Sequence, residues 1–328
     1  MEQARQFFEN FSNGQQISIN ELPQSGSSRR NFIAENKDGK FVVTVNENLR
    51  ENESFIYFSE VFSELNANSP KIYRVSDDRK TYIQEFLGSK TLSELISKEG
   101  LSPSIRNLIK KTLDQLYKLQ QITQGKIDYS RTFEYEQYDE FPAQHDLYYF
   151  KFFFVDQLEI PYHKSALLRE FRNITQRITA LKPQGLMIRD FQSRNIMVDD
   201  EQEVHFIDYQ SAMKGPLMYD VISLLYQAKA GFPDDFREEM LEYYLSKYSS
   251  EDQEHLRESI PWIRLIRTLQ VLGAYGFRGL IQKKQHFIES IPAAVQSLQH
   301  WAENRQELQD FPEVKKVIKS LDVAQIKI

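Results

Sequence analysis

The sequence predicts an α+β chain of two lobes, a small β-rich lobe over residues 1–87 and a larger, mostly helical lobe over residues 88–328. Three observations predict it. Five strand-like pieces with one helix inserted after the third make up the first lobe. Leu87-Gly88-Ser89-Lys90 then interrupts the pattern as a hinge would. Beyond it the apolar spacing is helical, broken by one polar loop between two β-branched runs, Gly185 to Val198 and Val204 to Gln210.

Residues 2–12 read as a short amphipathic helix, followed by strands at Gln16–Ile19, Asn31–Glu35 and Phe41–Val45. Asn36-Lys37-Asp38-Gly39 has the chemistry of a hairpin turn between the last two. Glu51 to Leu65 places Phe55, Phe58, Val61, Phe62 and Leu65 on one helical face, and strands follow at Lys71–Val75 and Thr81–Phe86. Thr91-Leu92-Ser93-Glu94 opens the second lobe as a capping box. Its helices are expected at Pro103–Ile122, His145–Gln157, Lys164–Lys182, Tyr219–Lys229, Asp234–Lys247, Glu251–Lys284 and Phe287–Phe311, with one more after Pro312. The loop between the β-branched runs carries the only strand pair expected in this half.

Composition excludes several functions. Net charge is −6 over 328 residues, so no global field recruits nucleic acid or an anionic membrane. The absence of cysteine removes disulfides, thiolate catalysis and cysteine-ligated zinc. The six histidines show no metal-ligand spacing, and His205 reads as a packed strand residue. Met1 to Asn10 is charged and lacks the apolar segment of a signal peptide, and no run reaches bilayer length, so a cytoplasmic enzyme is expected.

The polar loop carries the chemistry. Asp190 is followed after four residues by Asn195, and the next strand delivers Asp208. This is the spacing of a kinase catalytic loop and its metal-binding aspartate. Phosphoryl transfer needs positioning and charge neutralisation more than covalent help. Asp190 is expected to orient or deprotonate an acceptor hydroxyl, while Asn195 and Asp208 offer the oxygens that Mg²⁺ prefers, next to those of ATP. Pro23 to Arg30, with Ser25, Gly26 and Ser27 closing on Arg29 and Arg30, is a loop whose backbone N–H groups can cradle phosphate; an ordinary hairpin is the competing account. Adenine is expected to meet backbone groups near Glu85 to Leu87.

The run Ile188-Arg189-Asp190-Phe191-Gln192-Ser193-Arg194-Asn195-Ile196-Met197 resembles the loop of the aminoglycoside phosphotransferase and choline-kinase-like family. Gly215-Pro216-Leu217-Met218-Tyr219-Asp220-Val221 resembles that family's Gly-x-x-x-Tyr-Asp segment, which implies that Asp220 braces the catalytic loop. Ser27 to Phe32, Tyr82 to Gly88 and Arg267 to Ala274 extend the resemblance to the bacterial branch that phosphorylates the anomeric hydroxyl of N-acetylmuramate and N-acetylglucosamine. It implies a bilobal protein-kinase-like fold and an ATP- and Mg²⁺-dependent small-molecule kinase, with an amino sugar as first choice of acceptor. Aminoglycosides and choline-like amines remain open.

The pattern departs from the family at two places. Ile188 stands where the loop usually begins with His, and the third strand lacks the lysine that pairs with nucleotide phosphates, a lysine the sugar-kinase branch also lacks. Arg29 or Arg30 can supply that charge, a solvated pair beside a hairpin being the competing account for either; Glu53 is a candidate partner, although a solvent-facing helix glutamate is the more common case. For the acceptor, Asp146 is the first candidate, although a carboxylate near a helix N-terminus is also favoured by the macrodipole. Gln192 and Arg194 lie within the catalytic loop itself, and Arg267 and Gln270 are polar residues on an apolar helix. The same departures motivate a rival reading, a nucleotide-binding regulatory module that has lost catalysis.

Overall fold

The structure is a computed structural model and describes residues 1–23, 29–303 and 305–323, the side chain of Lys229 excepted. Its contacts gather into two compact units, residues 1–136 with 188–213 and residues 137–187 with 214–328. The lobes expected from sequence divide at residues 87 and 88, whereas here the chain from Gly88 to Glu136 and residues 188–213 group with the N-terminal sheet.

In the first unit, α1 (Glu2–Phe11) lies on a five-stranded antiparallel sheet of order β1-β2-β3-β5-β4. Its strands are β1 (Ser18–Glu21), β2 (Arg30–Asn36), β3 (Gly39–Val45), β4 (Ile72–Val75) and β5 (Thr81–Glu85). Phe8, Phe32, Val43 and Ile83, all fully buried, form the core between helix and sheet. Fully burying each such side chain stabilises the fold by roughly 1.5–3 kcal/mol. The turn between β2 and β3 is fixed by Asn36, whose side-chain oxygen accepts the Asp38 N–H at 2.9 Å.

The inserted helix α2 (Leu49–Glu64) starts at Asn48, whose side chain accepts the Glu51 N–H. It is buried on more than its apolar stripe, with Glu51, Asn52, Ser54 and Ser59 enclosed beside Phe55, Phe58 and Phe62. After β5 the chain turns at Gly88, where φ is +97° and an added Cβ would lie 3.4 Å from the Val198 carbonyl oxygen. The left-handed conformation favours glycine at this turn. The short β6 (Lys90–Thr91) leads into α3 (Leu92–Glu99), opened by the expected capping box of Thr91 and Glu94, and then α4 (Pro103–Ile122).

A second hairpin completes the unit. Strands β7 (Gln184–Met187), β8 (Ile196–Val198) and β9 (Val204–Phe206) cover the two β-branched runs, but only β8 and β9 pair, and β6 adds to β8 as a third strand. In the second unit β7 pairs instead with β10 (Met213–Pro216), a strand not expected from sequence. Met-Lys-Gly-Pro has none of the β-branched alternation that marks strands, which explains why it was illegible.

The remaining second-unit helices are α5 (Glu140–Phe150), α6 (Lys164–Thr179), α7 (Met218–Leu225), α8 (Asp234–Leu245), α9 (Ser250–Tyr275), α10 (Gln285–Ile288), α11 (Ile291–Ala302) and α12 (Pro312–Lys319). Two helices expected to run on unchanged become π-helical, at Lys151–Val155 and Gly276–Ile281. The π turns pack together so closely that a Cβ at Gly276 would overlap the Phe153 carbonyl. The helix expected over 287–311 breaks into α10 and α11, with Pro292 starting the second piece where a missing N–H costs nothing.

Candidate active site

The loop between β7 and β8 is a set of backbone turns. The Asp190 N–H donates to the Ile188 carbonyl at 3.0 Å, Gln192 N–H to Asp190 at 2.9 Å, and Asn195 N–H to Gln192 at 2.8 Å. Ile188 is buried, and Phe191, also buried, packs edge-on against Phe206, so both ends of the turn around Asp190 are anchored. Arg189 takes φ +72° and Asp208 φ +64°, a left-handed conformation that non-glycine residues seldom hold outside constrained sites. Asn195 ties the two acids together. Its Nδ2 donates to the Asp190 carbonyl at 2.9 Å and to Asp208 Oδ2 at 3.3 Å, and its own carbonyl accepts the Ile207 N–H at 3.0 Å.

The positive charge beside Asp208 comes from Arg29, at the residue before β2. Its guanidinium pairs with Asp208, donates to Gln210 Oε1 at 3.1 Å, and sets Nε 3.3 Å from Glu51 Oε1. Burial opposes the Arg29 charge, but the carboxylates of Asp208 and Glu51 outweigh it and raise its pKa. Burial would likewise raise the Asp208 carboxyl. The charge and hydrogen bond of Arg29, the Gln210 amide and the charge of Arg194 reverse this and hold it below the ordinary carboxylate range.

The partner of this charge is Glu51, and the candidate Glu53 is the solvent-facing glutamate of the alternative account. Glu51 has a side chain 10% exposed and also accepts from Asn46 Nδ2 at 2.9 Å, whereas Glu53, 42% exposed, pairs with Arg79. Glu51 lies four residues before the buried Phe55, on the same helical face, but α2 is buried on several sides and that relation alone does not single it out. Arg30 is also turned elsewhere, making a two-point pair with Glu21 on the exposed edge of the sheet. Where the third-strand lysine is missing, buried Thr44 sits in a neutral chain, donating to Asn31 Oδ1 at 2.8 Å and accepting from Gln84 Nε2 at 3.1 Å.

Helix α2 holds the segment after β9 from beneath. Ser54 Oγ donates to the Gln210 carbonyl at 2.7 Å, Ser59 Oγ lies 2.7 Å from the Tyr209 hydroxyl, and Phe55 stacks between Tyr209 and Tyr82 with centroids at 4.8 and 5.3 Å. Gln210, Ser54 and Glu51 were not singled out by sequence reasoning, because each is an ordinary polar residue until the fold brings α2 under Asp208.

The other expected site residues fall as follows. Ser25, Gly26 and Ser27 lie outside the described residues. Glu85 and Leu87 are partly exposed at the end of β5, where the Glu85 N–H is engaged by the Lys71 carbonyl at 2.9 Å. Gln192 is partly exposed and Arg194 exposed. In the second unit Asp220 is fully buried in the first turn of α7. Asp146 is 1% exposed and accepts the Tyr138 hydroxyl at 2.6 Å, so an acceptor reaches it only after rearrangement. Arg267 is buried on α9 and donates to Ser223 and Gln270. His205 is not simply packed; its Nε2 lies 2.8 Å from Asp199 Oδ2.

Comparisons with known proteins agree with this geometry. The model of the APH phosphotransferase enzyme family matches residues 20–258. No curated protein matches the sequence. Among solved structures the chain is similar to choline kinase LicA from Streptococcus pneumoniae, with TM-score 0.60 and 15% identity over 90% of this chain and 100% of that one. It is similar to an ethanolamine kinase from Plasmodium vivax, with TM-score 0.58 and 15% identity over 89% and 85%. It is also similar to aminoglycoside phosphotransferase APH(2")-IIa in its ternary complex with streptomycin and ATP, with TM-score 0.59 and 16% identity over 89% and 95%. These likenesses establish the protein-kinase-like fold. Among the described residues no helix is long and apolar enough to cross a membrane. With a family match spanning most of the chain and the loop acids gathered on one hydrogen-bonded hairpin, the chain is a phosphotransferase that belongs to the APH enzyme family.

Proposed function

We propose that this enzyme transfers the γ-phosphate of ATP to a hydroxyl of an amino sugar of the N-acetylmuramate or N-acetylglucosamine type. The observation that carries the reading is the linked set Asp190–Asn195–Asp208–Arg29–Glu51, which supplies a base and two oxygen ligands around one hairpin and a cation, from the residue before β2, anchored to α2. A module that had lost catalysis has no need to keep it. Asp190 takes the acceptor's proton as the oxygen–phosphorus bond forms and the bridging oxygen leaves with ADP. Arg29 neutralises phosphate charge in place of the third-strand lysine. Residues 1–87 hold the nucleotide, with adenine against the backbone of Glu85 to Leu87 and the phosphates under the Ser25–Gly26–Ser27 loop. Residues 88–328 carry the acceptor side, where Gln192 and Arg194 lie within reach of it.

The site fits Mg²⁺. Among the described residues no three acidic or histidine side chains gather to hold a metal, yet a hard ion that keeps phosphate and water oxygens needs only one or two protein ligands. Asp208 supplies a carboxylate, and Asn195, whose Nδ2 is engaged, keeps Oδ1 to offer. The metal, when bound, spreads the charge developing on the phosphates.

The amino sugar rests on the scattered sequence resemblance and on the absence of the third-strand lysine. A choline-like or aminoglycoside acceptor is the second reading, favoured by the fold neighbours. Incubation with ATP, Mg²⁺ and a panel of amino sugars, amines and aminoglycosides separates them, followed by ³¹P NMR of the product. An anomeric sugar phosphate is expected. ADP release stimulated only by an amine or an aminoglycoside would remove the sugar.

A further inference from the structure

Two residues beyond Asp208 stands Gln210, buried and with both ends of its amide engaged. Nε2 donates to Asp208 Oδ1 at 3.1 Å, and Oε1 accepts from Arg29 Nη1 at 3.1 Å. Arg29 closes the ring through Nη2 on the same Asp208 oxygen. The ring admits one orientation of the amide, since the flipped group would set oxygen against carboxylate and N–H against guanidinium. No other uncharged side chain of this length offers a donor and an acceptor on one plane, and glutamate would press a second negative charge on Asp208. The main chain of Gln210 is fixed independently, by Ser54 at its carbonyl.

A lysine in the middle of a strand has its direction set by the sheet. Arg29 precedes β2 and bears no such constraint, and its long side chain loses freedom whenever it is held. We propose that Gln210 is a positioning residue that fixes the Arg29 guanidinium beside Asp208, giving a phosphate-binding charge carried ahead of the strand the direction that the sheet does not supply. With Glu51 on Nε and Gln210 on Nη1, Arg29 would keep these anchors if a bound metal drew on Asp208. The proposal rests on the reading of Arg29 as the phosphate cation.

The test uses the full chain in two arms, with Gln210→Met as a variant of similar length and no amide. In the nucleotide-free arm, the exchange rate of the Arg29 Nη–H protons is followed by ¹H–¹⁵N NMR at low temperature. The clamp predicts exchange about tenfold faster in the variant, the loss expected for one hydrogen bond to a charged group. Unchanged exchange would overturn it. In the second arm Mg–ADP binding is measured calorimetrically for Gln210→Met, Arg29→Met and the double variant. Gln210→Met is expected to weaken binding about tenfold and to raise KM for ATP more than it lowers kcat. The double variant should bind no more weakly than Arg29→Met, because the amide acts through the guanidinium. Losses that multiply, or wild-type binding in Gln210→Met, would overturn the proposal with the reading of Arg29 intact. Faster exchange in Gln210→Met together with wild-type binding in Arg29→Met would instead leave the clamp standing and remove the phosphate role of Arg29. If Gln210→Met does not fold, Gln210→Ala, which adds no volume, carries the same expectations.

Discussion

Asp190 and Asn195 reach the site from one turn, five residues apart, whereas Arg29 and Gln210 meet across 181 residues. The first pair is held by the backbone hydrogen bonds of its own loop. The second is held by side chains of three segments, with α2 as the common platform. A site built within one turn is positioned by hydrogen bonds local to that turn. A corner assembled from distant segments depends on every partner. The strongest test of this contrast removes the chemistry and leaves the geometry. Asp190→Asn keeps the carbonyl that Asn195 binds and loses only the proton acceptor. Its kcat should fall about a thousandfold, within the range of general-base contributions, while calorimetric nucleotide affinity stays at the wild-type value. Undiminished turnover would remove Asp190 from the mechanism.

Damage to the distant corner should look different. Arg29→Met leaves Glu51 and Asp208 without their cation, so it should lower kcat/KM for ATP about a hundredfold, the scale of a lost charged pair at phosphate, and also lower the melting temperature. Arg29→Lys should recover only part of the loss, because an ammonium cannot serve Glu51, Asp208 and Gln210 in fixed directions at once. Steady-state kinetics with thermal denaturation on the same samples decides it. A variant with normal stability and normal KM would show that the charge is ornamental.

The same contrast explains what was legible in the sequence. Asp190, Asn195 and Asp208 are spaced along one hairpin, and their spacing is the information. The capping box of Thr91 with Glu94 was equally legible, since local chemistry dictates it. The Arg29 partner was not. Choosing Glu51 over Glu53 required knowing which face of α2 lies beneath Asp208, and a helix buried on several sides blurs the periodicity that would reveal it. Gln210 and β10 were invisible for a related reason: their roles come from partners far away in the chain.

A smaller effect concerns pH. The folded Asp208 carboxyl lies below its ordinary value of 3.8, despite burial, because of Arg29 and Gln210. A depressed folded pKa contributes stability that is fully present above the unfolded value and is lost as pH falls through the folded one. The wild-type melting temperature should therefore draw on this pair down to below pH 3.8. In Arg29→Met the carboxyl returns upward, so the pair's contribution is absent and acid inactivation begins at a higher pH. Melting temperature and kcat/KM followed through the acid range check the direction. Coincident acid limbs in the two proteins would mean that Arg29 does not set the Asp208 carboxyl.

The smallest expected effects fall where charge alone, without enclosure, suggested a role. Glu53 and Glu51 are two residues apart on α2, yet their side chains are 42% and 10% exposed and their partners are Arg79 and Arg29. Glu51→Gln removes the charge beside an enclosed guanidinium and should raise KM for ATP about tenfold, as expected for one hydrogen bond to a charged group. Glu53→Gln breaks a solvent-screened pair and should leave both kcat and KM unchanged. Arg30→Gln, which loses only the exposed pair with Glu21, should do the same. Equal losses in Glu51→Gln and Glu53→Gln would mean that net charge near the nucleotide matters and the fixed geometry of Arg29 does not. Separate losses would place the specificity of this corner in enclosure, with the neighbouring Arg30 and Glu53 serving as internal controls one and two positions away.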